Sequence, residues 1–335
     1  MNQVNTPAEA YWNHRQLLAD LRPELDQLRK AVDWPGDLGP SQWAQIFVMT
    51  YDFKPDLIIE LGRGYGNSTC CFLKAIEQMG GKEACRLESL CLNNGFQKRT
   101  RPQVEKIVSN DFFEPGDYKI CNILEQDFKA MIGEARRVLV FWDAHGFEIA
   151  ECALGGIMPH LQNREHRVLM HDMTDTRYND CSREYGDLGL WKGENAVDTD
   201  YFIGHINTKV GQALSITDFA NRNNMPFFSV EESLHEFYTD APEKLVEMER
   251  LVGQDYFTMW GHWFWYTMSL AKTTKMTFPR FGNKAVVVDE APVHTEEDTL
   301  AKVPMPASGL PSKEQESVAA PKSVWSKMNP FRKVS

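Results

Sequence analysis

Glu60 is followed by glycines at 62, 64 and 66 in the stretch DLIIELGRGYGNST, residues 56–69. Glycine accepts positive φ and has no Cβ, so such a backbone can close on a nucleotide-like ligand. A helix beginning near Asn67 and Ser68 would add free N–H groups at the same place. The dinucleotide fingerprint G-x-G-x-x-G is not met, because position 67 is Asn. A carboxylate at 60 would also repel a pyrophosphate and attract an ammonium group. A tight turn that binds nothing is the plain alternative.

A second group of reactive side chains lies further along. VLVFWDAHG carries Asp143 and His145, and RVLMHDMTD carries His171, Asp172 and Asp175. Two carboxylates and an imidazole suit a divalent cation, Mg²⁺ or Mn²⁺ by the oxygen donors, with histidine tilting the set towards Mn²⁺, Fe²⁺ or Zn²⁺. Without a metal, His145 or His171 could act as general base, since imidazole titrates near neutral pH. Both readings stay open, as does a set with no catalytic role.

These residues need a frame that brings them together. Short apolar runs at 56–61, 85–92, 118–124, 137–142 and 167–171 read as strands. Helical spacing lies between them, at 67–79, 98–108, 126–134 and 146–161. The alternation predicts a Rossmann-like α/β fold: a doubly wound, mostly parallel sheet with helices on both faces. In such a sheet, ligands sit beyond the carboxyl ends of the strands, where the order reverses. Glu60, Asp143, His171 and Asp172 would meet there.

Around this frame, residues 7–32 read as a helix and SQWAQIFVMTYDF as a second, capped by Ser41. Residues 173–205, rich in Asp, Tyr, Gly and Asn, read as a substrate-cap loop in which Arg177 and Tyr178 could reach an acceptor. A helix is expected at 208–223, and strands at 256–269 and 274–281. The aromatics of FTMWGHWFWYTM fit core packing better than a stacking platform. The expected organisation is an N-terminal helical extension over 1–39, a catalytic domain over 40–290 and a disordered tail over 291–335. The last fifteen residues hold four basic side chains and no acid. A tail that docks a partner therefore stays open beside a solvated one.

Composition narrows the partners. A net charge of −11 argues against nucleic acid, which needs clustered Lys and Arg. No apolar run approaches the roughly 20 residues of a membrane span, and the N-terminus has neither a basic start nor an apolar core. Seven cysteines without a C-x-x-C pair suggest neither a disulfide scaffold nor a zinc ribbon. The expectation is a reduced, cytoplasmic, soluble protein acting on a small molecule, with homo-oligomerisation open.

The pattern E-x-G-x-G-x-G over 60–66 resembles the first motif of class I S-adenosylmethionine-dependent methyltransferases. That resemblance implies that Glu60 holds the methionine ammonium and that Gly62, Gly64 and Gly66 make room for methionine and ribose. It also implies a ribose contact after the second strand. Cys91 stands where the family has an acid, which leaves Asn93 or Glu88. Asp127 matches a polar position near the adenine. The placement of Asp143 with His171 and Asp172 is similar to metal-dependent small-molecule O-methyltransferases of the catechol and macrolide-sugar type, a layout shared with cephalosporin-hydroxylase-like sequences. His171 replaces the usual Asp, so the metal stays open. The implied activity is methylation of a small-molecule hydroxyl, on a sugar or natural product. A cofactor-binding module without catalysis and a nicotinamide oxidoreductase are the alternatives on the same fold.

Overall fold

The computed structural model describes residues 5–34, 37–144, 147–171, 219, 223, 227–259, 264–266, 278 and 281. The chain divides into a unit over Met1–Ala291 and a second over Pro292–Ser335, which lies wholly outside the described residues. The expected cap loop over 173–205 also lies outside them, as does most of the expected helix 208–223.

Seven strands form one sheet: β1 Leu57–Leu61, β2 Arg86–Cys91, β3 Gly116–Ile120, β4 Arg137–Trp142, β5 Glu165–Met170, β6 Phe227–Ser229 and β7 Phe264–Tyr266. Their order is β3-β2-β1-β4-β5-β7-β6. The first five run parallel, and β7 runs antiparallel to both β5 and β6. The sheet is Rossmann-like, with its order reversing between β1 and β4. It departs from the dinucleotide-binding order 3-2-1-4-5-6 by the reversed β7, inserted between β5 and β6.

Both faces are covered. Leu57, Ile59, Leu61, Val138, Val140 and Trp142 pack on one side with Phe128, Ile132, Leu154 and Ile157. Ile58, Leu139 and Phe141 pack on the other with α1 Pro7–Val32, α2 Pro40–Phe53 and α3 Asn67–Met79. Alternation along each strand divides the two cores, while burial on both faces keeps every strand apolar. The segment 1–39 shares the second core through Leu18, Leu21, Leu25 and Leu28.

The helix 7–32 is found as expected, opened by a capping box between Thr6 and Glu9. The second helix is capped two residues earlier than Ser41. Pro40 takes the first helical position, where its missing N–H costs nothing, and Gly39 becomes the N-cap. β3 ends at Ile120 rather than 124, because it stops where its neighbour β2 stops. Cys121 N–H closes the ladder on Cys91 O at 2.9 Å, and Asn122 then caps a short 3-10 turn. The expected helix 98–108 is a π turn, Phe96–Thr100, running into Arg101–Val104, which we call α4. The helix 126–134 is α5 Phe128–Ile132. The helix 146–161 is α6 Phe147–Glu151 followed by π and 3-10 turns. Within 256–269 only Phe264–Tyr266 is strand among the described residues. β6 and two amphipathic helices, α7 Val230–Thr239 and α8 Pro242–Val252, were not expected. No helix of the described residues is long and apolar enough to cross a membrane.

Candidate active site

Three strands end in register and hand their next residues to one crevice. Leu61, Trp142 and Met170 are aligned across β1, β4 and β5. Beyond them, Asp143 N–H donates to Leu61 O at 2.9 Å and His171 N–H to Trp142 O at 3.0 Å. Gly62, Asp143 and His171 therefore stand side by side at the point of strand-order reversal.

The three glycines do different work. All have positive φ, at 100°, 54° and 92°. A Cβ on Gly62 would lie 2.8 Å from Asp143 C, Asp143 O and Ala144 N, so the glycine lets the β1 loop touch the β4 loop. A Cβ on Gly66 would lie 2.3 Å from the Phe96 ring. Only at Gly64 does a Cβ meet nothing within 4 Å. Of the three, Gly64 is thus the position whose bare backbone faces open space.

Glu60 does not face that space. It shares the β1 face of Ile58, is fully buried, and turns towards the start of α3. Its Oε1 accepts from Ser68 Oγ at 2.5 Å and Thr69 Oγ1 at 3.0 Å. Its Oε2 accepts from Thr69 Oγ1 at 2.8 Å and from Ser89 Oγ. Buried Arg63 reaches the same cluster: Nη1 donates to Ser89 O at 2.6 Å and Ser89 Oγ at 3.0 Å, and Nη2 to Lys119 O at 3.2 Å. The carboxylate therefore ties β1, β2 and α3 together beneath the glycine loop. Ser68, Thr69, Ser89 and Arg63 were missed in the sequence, although the alternation of β1 places Glu60 opposite Ile59 and Leu61.

Burial raises the Glu60 carboxyl above its usual range, against the three hydroxyls and Arg63, which favour the ion. The folded chain thus holds this proton more tightly than the unfolded one. Its contribution to stability is full below the unfolded value and is lost as pH rises through the folded value. Glu60→Gln is expected to flatten that loss. Urea titrations of both proteins across this window should diverge by up to about 1.4 kcal/mol per pH unit.

Asp143 and His171 form the second part. His171 Nδ1 lies 2.7 Å from Asp143 Oδ1, and Nε2 lies 3.2 Å from Gln42 Nε2 of α2. The imidazole is buried and stacks on Phe141 with centroids 6.3 Å apart. Gln42, supplied by a helix 129 residues away in sequence, was not expected. Asn67 at the start of α3 draws the intervening loop inwards. It takes Trp43 Nε1–H at 3.2 Å and donates to Trp34 O at 3.1 Å and Asp37 Oδ2 at 3.0 Å. Trp34 packs on Tyr65 of the glycine loop with centroids 4.2 Å apart, and the Arg99 guanidinium sits over both rings.

The remaining expected residues scatter. Asn93 is exposed just past β2, its Oδ1 accepting from Gly95 N–H at 3.0 Å. Glu88 lies mid-strand, opposite Ile59, and is committed to Arg86 at 2.9 Å and Lys119 at 2.7 Å. Asp127 is the exposed N-cap of α5, accepting from Ala130 N–H at 3.0 Å. His145, Asp172, Arg177 and Tyr178 lie outside the described residues.

Of the expected metal set, Asp143 and His171 are described and adjacent, and Asp172 lies outside the described residues. No group of three His, Cys, Asp or Glu side chains converges among the described residues.

No family model matches the chain, and no curated protein matches it. Solved structures similar to it include S-adenosylmethionine- and S-adenosylhomocysteine-bound methyltransferases. One is a Podospora anserina methyltransferase bound to S-adenosylhomocysteine, with 16% identity over 44% of this chain and 62% of that one, and a TM-score of 0.34. Another is TomG of Streptomyces achromogenes, an O-methyltransferase of tomaymycin synthesis, with 13% identity, 62% and 80% coverage and a TM-score of 0.38. A third is an O-methyltransferase of Bacillus cereus in complex with S-adenosylhomocysteine, with 11% identity, 62% and 82% coverage and a TM-score of 0.39. The chain spans 62% of the Podospora protein, and the same share of cmcI, less than two thirds of either. The likeness is one of fold.

Proposed function

We propose that the chain binds S-adenosylmethionine at the glycine loop and methylates an oxygen of a small molecule. The observation that carries this is the open cradle at Gly64, one loop away from an Asp–His pair at the carboxyl ends of β4 and β5. Gly64 would lie against the methionine portion, and Asn93 beyond β2 would meet the ribose. Glu60 and Arg63 would act from below, fixing the loop rather than touching the ligand. A nicotinamide dinucleotide fits less well. The fingerprint glycine is Asn67, and a buried carboxylate sits under the loop where a pyrophosphate would need positive potential.

The bound sulfonium supplies an electrophilic methyl group. His171 would take the proton of the acceptor hydroxyl at Nε2, while Asp143 holds Nδ1–H and stabilises the imidazolium that forms. No step is assigned to a metal ion. The reading is tested with a panel of phenols and sugars, following S-adenosylhomocysteine release. His171→Phe is expected to lower kcat by about 10²–10⁴, the usual yield of a positioned base, with affinity for S-adenosylhomocysteine retained. Unchanged turnover in the variant would remove His171 from the mechanism.

Gly64→Ala separates binding from folding. Its Cβ enters open space, so the cost is the left-handed backbone alone, roughly 1–2 kcal/mol. Calorimetry is expected to show lost binding of S-adenosylhomocysteine while the thermal transition stays cooperative.

A further inference from the structure

The first helical turn of α2 reaches the candidate base, and the direction of each hydrogen bond there can be worked out. Gly39 N–H donates to Gln42 Oε1 at 2.8 Å. A backbone N–H is only a donor, so this contact fixes which end of the amide is oxygen. The other end, Nε2, carries hydrogens and lies 3.2 Å from His171 Nε2. That ring nitrogen must therefore accept, and cannot bear a proton. On the far side, Nδ1 lies 2.7 Å from Asp143 Oδ1, where a carboxylate oxygen can only accept. Nδ1 must donate.

We propose that Gln42 is a positioning residue, which selects the Nδ1–H form of His171 and keeps its Nε2 lone pair free of a proton. The tautomer of an imidazole is set by what each nitrogen faces, and here Gln42 and Asp143 select the same one. The amide also stands in for the acceptor hydroxyl: a substrate O–H reaching Nε2 replaces an N–H that was already donating there. The frame behind Gln42 is fixed, since Asn67 ties Trp34 O, Asp37 and Trp43 to the start of α3. The loop that carries Gly39 is thereby linked to the same helix that closes the glycine loop. This inference rests on the reading of His171 as base, but its test does not.

The experiment is ¹⁵N-histidine NMR on the full chain, reading which ring nitrogen of His171 carries hydrogen, with His171→Phe used to assign the signals. The wild type is expected to show a protonated Nδ1 and a bare Nε2. Gln42→Leu removes the donor to Nε2 while Asp143 keeps the proton on Nδ1, so the Nε2 signal is expected to lose its hydrogen-bond shift and stay unprotonated. Gln42→Glu is the stricter variant. One oxygen still accepts from Gly39 N–H, while the other now faces Nε2 as an acceptor, so Nε2 is expected to become protonated. A wild type with protonated Nε2 would overturn the proposal. So would a Gln42→Glu variant whose Nε2 signal matches the wild type. Should Gln42→Leu fail to fold, Gln42→Glu and the wild-type tautomer decide. S-adenosylhomocysteine titration of the same samples keeps the two readings apart, because its failure refutes the cofactor and leaves the tautomer result standing.

Discussion

Gly62→Ala is expected to destabilise the chain by roughly 2–5 kcal/mol, from the left-handed backbone and overpacking together, and to abolish cofactor binding. Its φ of +100° is strained for any side chain, and the added Cβ would meet three backbone atoms of Asp143 and Ala144 at 2.8 Å. Neither loop can give way cheaply. Asp143 N–H is already bonded to Leu61 O, and Gly62 N–H to Leu90 O at 3.0 Å. Relief requires the β1 and β4 loops to part, which would move Asp143 away from the crevice. Denaturant unfolding measures the first effect and calorimetry the second. Gly64→Ala is the matched control for the stability effect, with the same chemical change, a positive φ and no collision.

Glu60→Ala is expected to cost roughly 3–5 kcal/mol, the usual range for removing one partner from a buried charged cluster. Three hydroxyls, Ser68, Thr69 and Ser89, lose the acceptor they share, and buried Arg63 loses its counter-charge. The double variant Glu60→Ala, Arg63→Met should recover part of this, since the uncompensated guanidinium is then gone. Unfolding free energies of wild type, both single variants and the double variant test the coupling directly. An additive cycle would show that the two charges do not share one network.

The helix at 67–79 and the strand over 57–61 could be read from the chain closely, because local chemistry fixes their ends. Gly66 and Gly80 take left-handed conformations at either end of α3, and β1 is an uninterrupted apolar run apart from Glu60. The meeting of Gly62, Asp143 and His171 was also legible, since parallel strands with in-register ends must bring their next residues together. The partners of Glu60 were not read, although its spacing was. Motif position gives the residue, but strand alternation decides the face, and here it points into the α3 layer. Gln42 could not be read at all. Its link to His171 spans 129 residues, and no local pattern on α2 marks it. The late helices α7 and α8 were not expected, although Leu234, Tyr238, Met248 and Val252 give both an apolar stripe into the core they share with α1.

The central claim is that the space beside Gly64 holds an S-adenosylmethionine-type ligand. Isothermal titration of the wild-type chain with S-adenosylhomocysteine tests it most directly, with NADH titrated in parallel. The expected result is saturable heat at one site per chain with S-adenosylhomocysteine and none with NADH. No heat with S-adenosylhomocysteine, or saturable binding of NADH alone, would contradict the assignment.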